Sequence, residues 1–258
     1  MEHMSLDDRA ALVTGASRGI GRAVALALAA RGAAVAVNYR SRKEEAESVV
    51  REIEQAGGRA IALHADVGDP QAARGLVEEA TSALGGLHIL VNNAGITDNG
   101  LIWDVSPDAW LDVMRVNFGG AYHCTAAVAK DFMAQRDGSI VNISSVMGLS
   151  GWIGQSNYAA SKGALNAFTR STAVELARFG VRVNAVAAGI VPTELVDDVL
   201  AKDGGKGIRQ QVPMRSFATP EQVADVVAFL AGPEASYVTG EVVRIDGGLA
   251  AQLGMGRP

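Results

Sequence analysis

Apolar residues along this chain gather in short unbroken blocks, separated by longer stretches of mixed character. The blocks are AALVT (10–14), AAVAVNY (33–39), RAIALH (59–64), HILVNN (88–93), GSIVNIS (138–144) and VRVNAVA (181–187), and EVVRIDGG closes the series. Their length and their Val and Ile content read as strands. The intervening stretches read as helices. These are an Ala-rich run ending at Gly32, an amphipathic run at 42–56, a run opening at Asp69-Pro70, then 107–117, 119–135, 157–179 and 220–231. Pro70 and Pro220 fall at first-turn positions, where a missing N–H is tolerated, and Thr219 suits the cap before Pro220. Strand and helix alternate with no linker or compositional break, which predicts a single α/β domain over residues 1–258. Residues 1–8 are expected to form an N-terminal extension. The Gly- and Pro-containing segment 189–213 is too long for a mere connection and is expected to be a lid.

The first strand runs into GASRGIG and then straight into a helix. In this βαβ unit Gly15 permits the tight turn, Gly19 lets backbone approach a pyrophosphate, and Gly21 lets helix pack close to strand. The helix N-terminus then faces the phosphates. A glycine triplet alone also suits a plain turn; its place between strand and helix favours dinucleotide binding. The end of the second strand selects the dinucleotide. A carboxylate about 20 residues past the glycines would bond a ribose 2′-hydroxyl. None occurs in NYRSR (38–42), where Tyr39 and Arg40 stand instead. Arg40, with Arg18 inside the glycine loop, suits a 2′-phosphate, so the expected cofactor is NADP(H). The alternative is that both arginines are solvated loop charges. Asp66 and Val67 follow the third strand, where Asp66 is placed to accept from an adenine amine and Val67 to offer main-chain contacts. Ala94 and Gly95, after Asn92 and Asn93, let a flat group lie against backbone.

The stretch Ser145–Lys162 carries three groups suited to one reaction: the Ser145 hydroxyl, the Tyr158 phenol and the Lys162 ammonium. Tyr158 and Lys162 stand four residues apart at the start of a helical run, hence on one face. A phenol ordinarily titrates near pH ~10. A neighbouring cation is expected to lower that value and let the phenol exchange a proton with a carbonyl or alcohol oxygen. Ser145 is placed to hydrogen-bond the same oxygen. The bland alternative is an exposed helix lysine beside a packed tyrosine. Asn117, at the junction of two predicted helices, is expected where a helix is interrupted, holding a water or a backbone kink.

Composition narrows the field. The chain is 48% hydrophobic and 20% charged, with formal net charge −5, which gives no electrostatic case for nucleic acid or an anionic membrane surface. No apolar run reaches the ~18 residues of a membrane span. The single cysteine, Cys124, lies in an apolar helical stretch and reads as a buried thiol, consistent with a reducing cytoplasm. His64, His88 and His123 are scattered away from other metal-ligating groups, so no catalytic metal is expected.

Taken together, TGASRGIG (14–21), Asp66-Val67, NNAG (92–95), Asn117, Ser145, YAASK (158–162) and IDGG (245–248) resemble the short-chain dehydrogenase/reductase family across nearly the whole chain. The resemblance implies a Rossmann-like sandwich with a seven-stranded parallel sheet and a nicotinamide cofactor. It makes Tyr158 the proton donor in reduction and Lys162 the group that binds the nicotinamide ribose and lowers the Tyr158 pKa. Ser145 would orient the substrate carbonyl and Asn117 hold a proton-relay water. Ser17 and Ile20 join the glycine loop as cofactor contacts. Asn93, Ala94 and Gly95 would line the adenosine side, and Gly189, Ile190 and Thr193 the nicotinamide and phosphates. One departure is Ala188-Gly189 where the family usually has Pro-Gly, which implies a looser loop.

Within the family the chain looks most like 3-oxoacyl-[acyl-carrier-protein] reductases, through NAGIT, VNISSV and PEASYVTGEVVRIDGG. That implies an acyl-thioester substrate and an acidic carrier protein as partner, with Arg136 and Arg178 as candidate contacts or, equally, as helix-end charges. A dehydrogenase or reductase for a polyketide, sugar, steroid or cyclic ketone is the enzyme alternative. A cofactor-binding regulator without catalysis is the other, and the intact Asn-Ser-Tyr-Lys set argues against it. Segments 96–104, 146–155 and 190–213 would face substrate, with Trp103 and Trp152 lining the pocket or packing. A homotetramer is expected through helices 119–135 and 157–179 and through the last helix and strand.

Overall fold

Side chains alternate across a strand, so a strand covered on both faces must be apolar throughout. Strand β1 (Ala10–Val13) shows this residue by residue. Ala11 and Val13 pack into one core, while Ala10 and Leu12 pack into another on the opposite face. The computed structural model describes residues 5–251. After β1 come helix α1 (Gly19–Ala30), β2 (Ala34–Tyr39), α2 (Lys43–Gln55), β3 (Ala60–His64), α3 (Pro70–Leu84) and β4 (Ile89–Asn92). Then follow α4 (Pro107–Met114), α5 (Gly120–Gln135), β5 (Gly138–Ser145), α6 (Ser156–Leu176), β6 (Val181–Ala188), α7 (Asp197–Ala201), α8 (Lys206–Arg209), α9 (Pro220–Ala231) and β7 (Val242–Ile245). All pairings among these strands are parallel, in the order β3-β2-β1-β4-β5-β6-β7. Helices α1, α2 and α9 cover one face, and α3, α5 and α6 cover the other. This is the expected single-domain seven-stranded sandwich.

The strand order reverses between β1 and β4. The chain leaves β1 toward β2 on one side, and leaves β4 toward β5 on the other. The connections therefore diverge at the carboxyl ends of these two strands and leave a crevice between them, the usual ligand position in an open α/β sheet. Local chemistry sets the helix starts. Asp69 accepts from Ala72 N ahead of Pro70, Ser106 accepts from Ala109 N ahead of Pro107, and Thr219 and Gln222 form a reciprocal capping box around Pro220.

Four features refine or differ from the sequence reading. The N-terminal extension is shorter: residues 1–4 lie outside the described residues, but Leu6 is only 2% exposed and its N–H donates to Arg31 O at 2.7 Å. The interruption expected at Asn117 takes the form of a π-helical turn, Arg115–Gly119, between α4 and α5. An extra residue in one turn shifts the hydrogen bonds while the helix continues. Segment 189–213, expected as a lid, contains the short helices α7 and α8. Finally, β6 extends through Ala188, which is in register with Ser145 on one side and Ile245 on the other, and Gly189 N donates to Ile245 O at 2.8 Å. The alanine thus sits as a paired strand residue, and the base of the loop is held by the sheet rather than loosened.

Candidate active site

The crevice at the switch point is a cleft of about 450 Å3. Its floor is the glycine loop. Gly15 (φ +60°) and Gly19 (φ +55°) both adopt the left-handed conformation, and a Cβ on Gly15 would stand 2.9 Å from Ala94 Cα. Helix α1 begins at Gly19, so the unpaired N–H groups of its first turn point toward this cleft. Ser17, Arg18, Ile20, Gly21, Tyr39, Arg40, Asp66, Val67, Asn93, Ala94, Gly95 and Thr193 also line it, as the sequence reading expects. Gly189 and Ile190 sit instead at the root of segment 189–213, where Ile190 O accepts from Ala218 N at 3.2 Å.

Two residues that the sequence reading missed hold this floor together. Thr14 Oγ1 accepts from Asn93 N at 2.9 Å and Ala94 N at 3.0 Å. Asn93 Nδ2 donates back to Thr14 O and Gly15 O at 2.8 and 3.0 Å. Asn38 Oδ1 accepts from Gly15 N at 3.1 Å, while its Nδ2 donates to Leu63 O and Ala65 O. Asn38 is 2% exposed and ties the glycine loop to the ends of β2 and β3. Its only sequence signal was an amide at the end of an apolar block.

The end of the cleft beside the carboxyl end of β2 carries most of the charge. Arg18, Arg40 and Arg42 all line it. Arg18 and Arg42 share one partner, Glu194 in segment 189–213. The reading of NYRSR as free of acid holds for 38–42, but a carboxylate reaches this corner from far along the chain. Burial first, then the charge of Arg42, lowers the Arg18 pKa. Burial favours the neutral form of Asp66, but hydrogen bonds from Gly68 N (2.9 Å) and Arg115 (3.2 Å) outweigh it and hold the carboxyl below its ordinary value. Tyr39 packs its ring against His64, with centroids 5.5 Å apart.

Beyond the inner end of the cleft the structure gathers the four expected catalytic positions. Ser145 is the last residue of β5, and Tyr158 and Lys162 occupy the first turns of α6. The Lys162 ammonium is buried, donates to Ile143 O at 2.7 Å and lies 5.6 Å from the centroid of the Tyr158 ring. Cleft-lining Gly95 connects the two regions, since a Cβ there would come within 3.7 Å of Lys162 Nζ and 3.3 Å of Asn117 Oδ1. Asn117 spends its side chain on the strand-end loop: Oδ1 accepts from Ile96 N at 2.8 Å, and Nδ2 donates to Ile96 O and Ser161 Oγ. Beneath the site, Asn92 Nδ2 donates to Asn142 Oδ1, Asn142 Nδ2 donates to Thr169 Oγ1, and Ser144 Oγ donates to Asn166 Oδ1. These buried bonds lock β4, β5 and α6 in one arrangement.

The electrostatics reverse one expectation. The Tyr158 phenol is not pulled down by Lys162. Although the residue as a whole is partly exposed, burial around the phenol pushes it up to about 12, against a hydrogen bond with Ser145 that acts the other way. Burial also brings Lys162 down to about 8. The ammonium is directed at the Ile143 carbonyl rather than the phenol oxygen, so desolvation dominates. Burial thus holds Tyr158 still further from ionisation than a free phenol, which is itself neutral at pH 7.

Other expectations resolve briefly. Cys124 is fully buried, and burial raises its thiol to about 12. Arg136 and Arg178 do not flank the cleft of their own chain. They follow α5 and α6 and precede β5 and β6, which places them at the amino edge of the sheet, where Arg136 donates to Arg178 O at 3.2 Å. Among the described residues no three metal-ligating groups converge, and no helix is long and apolar enough to cross a membrane.

A parallel sheet with a glycine turn and a helix N-terminus at its switch point defines a dinucleotide-binding α/β domain. The family model described as enoyl-(acyl carrier protein) reductase matches residues 15–250. The 3-oxoacyl-[acyl-carrier-protein] reductase FabG of Staphylococcus aureus is 42% identical over 241 residues, spanning 93% of this chain and 98% of that protein. The 3-oxoacyl-[acyl-carrier-protein] reductase of Synechocystis is 42% identical over 246 residues, 95% of this chain and 98% of that protein. A gluconate 5-dehydrogenase from Burkholderia cenocepacia, solved in complex with NADP and tartrate, superposes with a TM-score of 0.92 at 33% identity, covering 97% of this chain and 98% of that one. The chain belongs to the short-chain dehydrogenase/reductase family, and is thus an oxidoreductase acting on C=O and CH–OH groups.

Asn38→Ala removes the acceptor for Gly15 N and two donors to strand-end carbonyls. We expect a loss of about 1–3 kcal/mol, read as a lower urea midpoint at unchanged slope. An unaltered midpoint would show that the glycine loop does not depend on this amide.

Proposed function

We propose that this protein is an NADPH-dependent reductase that converts a ketone to a secondary alcohol, with a 3-oxoacyl thioester as substrate. The observation that carries the reading is the Tyr158 phenol, set one turn from Lys162 on α6 with the ammonium 5.6 Å from its ring, beside the end of a cleft lined by the glycine loop. The lining fits such a cofactor: glycines where a Cβ would collide, a helix N-terminus facing the cleft, and guanidinium groups at the far corner. Gly15, Gly19 and the first turn of α1 would hold the pyrophosphate, Asp66 and Val67 the adenine, and Arg18 and Arg40 a 2′-phosphate. Asn93, Ala94, Gly95, Gly189, Ile190 and Thr193 would complete the enclosure, with residues 189–213 as lid. Reduced nicotinamide supplies the hydride when bound.

The remaining chemistry belongs to the chain. The Ser145 hydroxyl and the Tyr158 hydroxyl would both hydrogen-bond the substrate carbonyl oxygen. As negative charge develops on that oxygen, Tyr158 donates its proton to it. Lys162 contributes the ribose contact and a positive charge behind the phenol. Asn117 acts as a positioning residue, because its amide clamps Ile96 on the loop that carries Gly95. The thioester rests on the two relatives named for that reaction, and so does the acyl-carrier partner. The solved gluconate 5-dehydrogenase favours a second reading, a small hydroxylated ketone without a thioester. A cytoplasmic location accords with one buried free thiol.

The assembly we infer is a homotetramer. Leu111 (63% exposed), Tyr122 (52%) and Val174 (80%) present apolar side chains on α4, α5 and α6, while Phe229 (42%) and Tyr237 (103%) do so near α9. Two such faces fit two interfaces between copies. Light scattering should give the mass of four chains, and a monomer would contradict this assembly.

The functional reading is tested with acetoacetyl thioester and a panel of sugar-acid and cyclic ketones, using NADPH and NADH in parallel. We expect the highest kcat/KM for the thioester with NADPH, and a drop of about 10²–10⁴-fold in kcat for Tyr158→Phe with cofactor affinity retained. Preference for NADH, or full activity of the Phe variant, would overturn it. Turnover of hydroxylated ketones alone would select the second reading.

A further inference from the structure

Three elements far apart in sequence meet at the adenosine end of the cleft. Arg18 comes from the glycine loop, Arg42 from the turn before α2, and Glu194 from the first residues of the lid. One oxygen of Glu194, Oε2, pairs with both guanidinium groups, at 2.8 Å from Arg42 Nη2 and in still closer contact with Arg18 Nη1. Arg42 is held from its other side by Glu45, through Nη1 at 3.3 Å, which presents Nη2 toward the cleft. All three side chains of the cluster are about half exposed, so solvent and dissolved anions can reach them. Next to Glu194, the Thr193 methyl lies over the glycine loop, 3.3 Å from where a Cβ on Gly19 would stand.

Two cations side by side repel each other and attract an anion. Here the anion is the chain's own, and it stands in the corner that the NADPH reading reserves for the 2′-phosphate. We propose that Glu194 is a resident stand-in for that phosphate: it binds Arg18 and Arg42 when no phosphate is present, ties the lid to the glycine loop, and is displaced when a 2′-phosphate binds. Arg42 is then a phosphate ligand in addition to Arg18 and Arg40. A ligand that lacks the 2′-phosphate leaves the Glu194 pairs intact and holds the lid in place. One that carries it exchanges a carboxylate for a phosphate, whose extra charge and three oxygens serve both arginines better. The tie from Glu194 to the glycine loop is released in the same step, and the lid is left to close on the bound ligand. This inference rests on the NADPH reading and concerns only how the pocket selects for it.

The pairs are exposed enough that each is modest in strength, which keeps the exchange reversible. The test is calorimetric and needs no turnover. Adenosine 2′,5′-bisphosphate and adenosine 5′-monophosphate are titrated into the wild type, Glu194→Gln and Arg42→Gln. Glu194→Gln should bind the bisphosphate about three- to tenfold more tightly while the monophosphate stays within about twofold. Arg42→Gln should weaken the bisphosphate alone. If the wild type prefers the bisphosphate but Glu194→Gln leaves its affinity unchanged or weaker, Glu194 is not a competitor and this inference fails while the NADPH reading stands. If Glu194→Gln tightens both ligands equally, the residue acts on the lid in general and the phosphate-specific role is wrong. If the wild type does not distinguish the ligands, the NADPH reading and this inference fall together.

Discussion

A buried phenol that must remain protonated is the constraint around which this site is built. Desolvation disfavours phenolate, and it disfavours a lysine ammonium equally. Tyr158 answers by staying neutral. Lys162 keeps a hydrogen bond to the Ile143 carbonyl and loses part of its basicity. Both side chains hang from the first turns of α6, and the residue that meets the phenol, Ser145, ends β5. The site therefore depends on one strand and one helix keeping their relative position. The amide and hydroxyl bonds that link Asn92, Asn142 and Thr169, and Ser144 with Asn166, enforce that position from below. Unmade, such bonds would leave polar groups stranded between apolar layers, a penalty of about 1–3 kcal/mol each.

The cleft follows from topology rather than from any single residue. The reversal of strand order opens a crevice where β1 and β4 end, and glycines keep it clear of side chains. Thr14 and Asn38 then fix the glycine loop to both neighbouring strand ends. At one end lies a cluster of positive charge; near the other lies a neutral proton donor. That polarity suits a long anionic ligand whose reactive part must be delivered to the phenol, and it is the physical link between the two halves of the site.

Much of this was legible in the sequence because its determinants are local. The order of strands and helices, the glycine turn, and the four-residue spacing of Tyr158 and Lys162 are all short-range patterns. What escaped the sequence depends on partners far apart. Glu194 meets Arg18 and Arg42 only after the lid folds back over the glycine loop. Asn38 and Thr14 act through bonds across strands. The sequence places an interruption at Asn117, but its π-helical form depends on backbone hydrogen bonds that no residue spacing displays. The direction of the Tyr158 shift was misjudged for a related reason: spacing shows that a cation is near, but burial and the aim of that cation decide which effect wins.

The most direct measurement is a titration of Tyr158 itself in the enzyme without dinucleotide, by NMR of isotope-labelled tyrosine, with Tyr158→Phe identifying the signal. The account predicts a phenol that stays protonated beyond its ordinary value of 10.0, toward about 12. Ionisation of that hydroxyl below the ordinary value would contradict it.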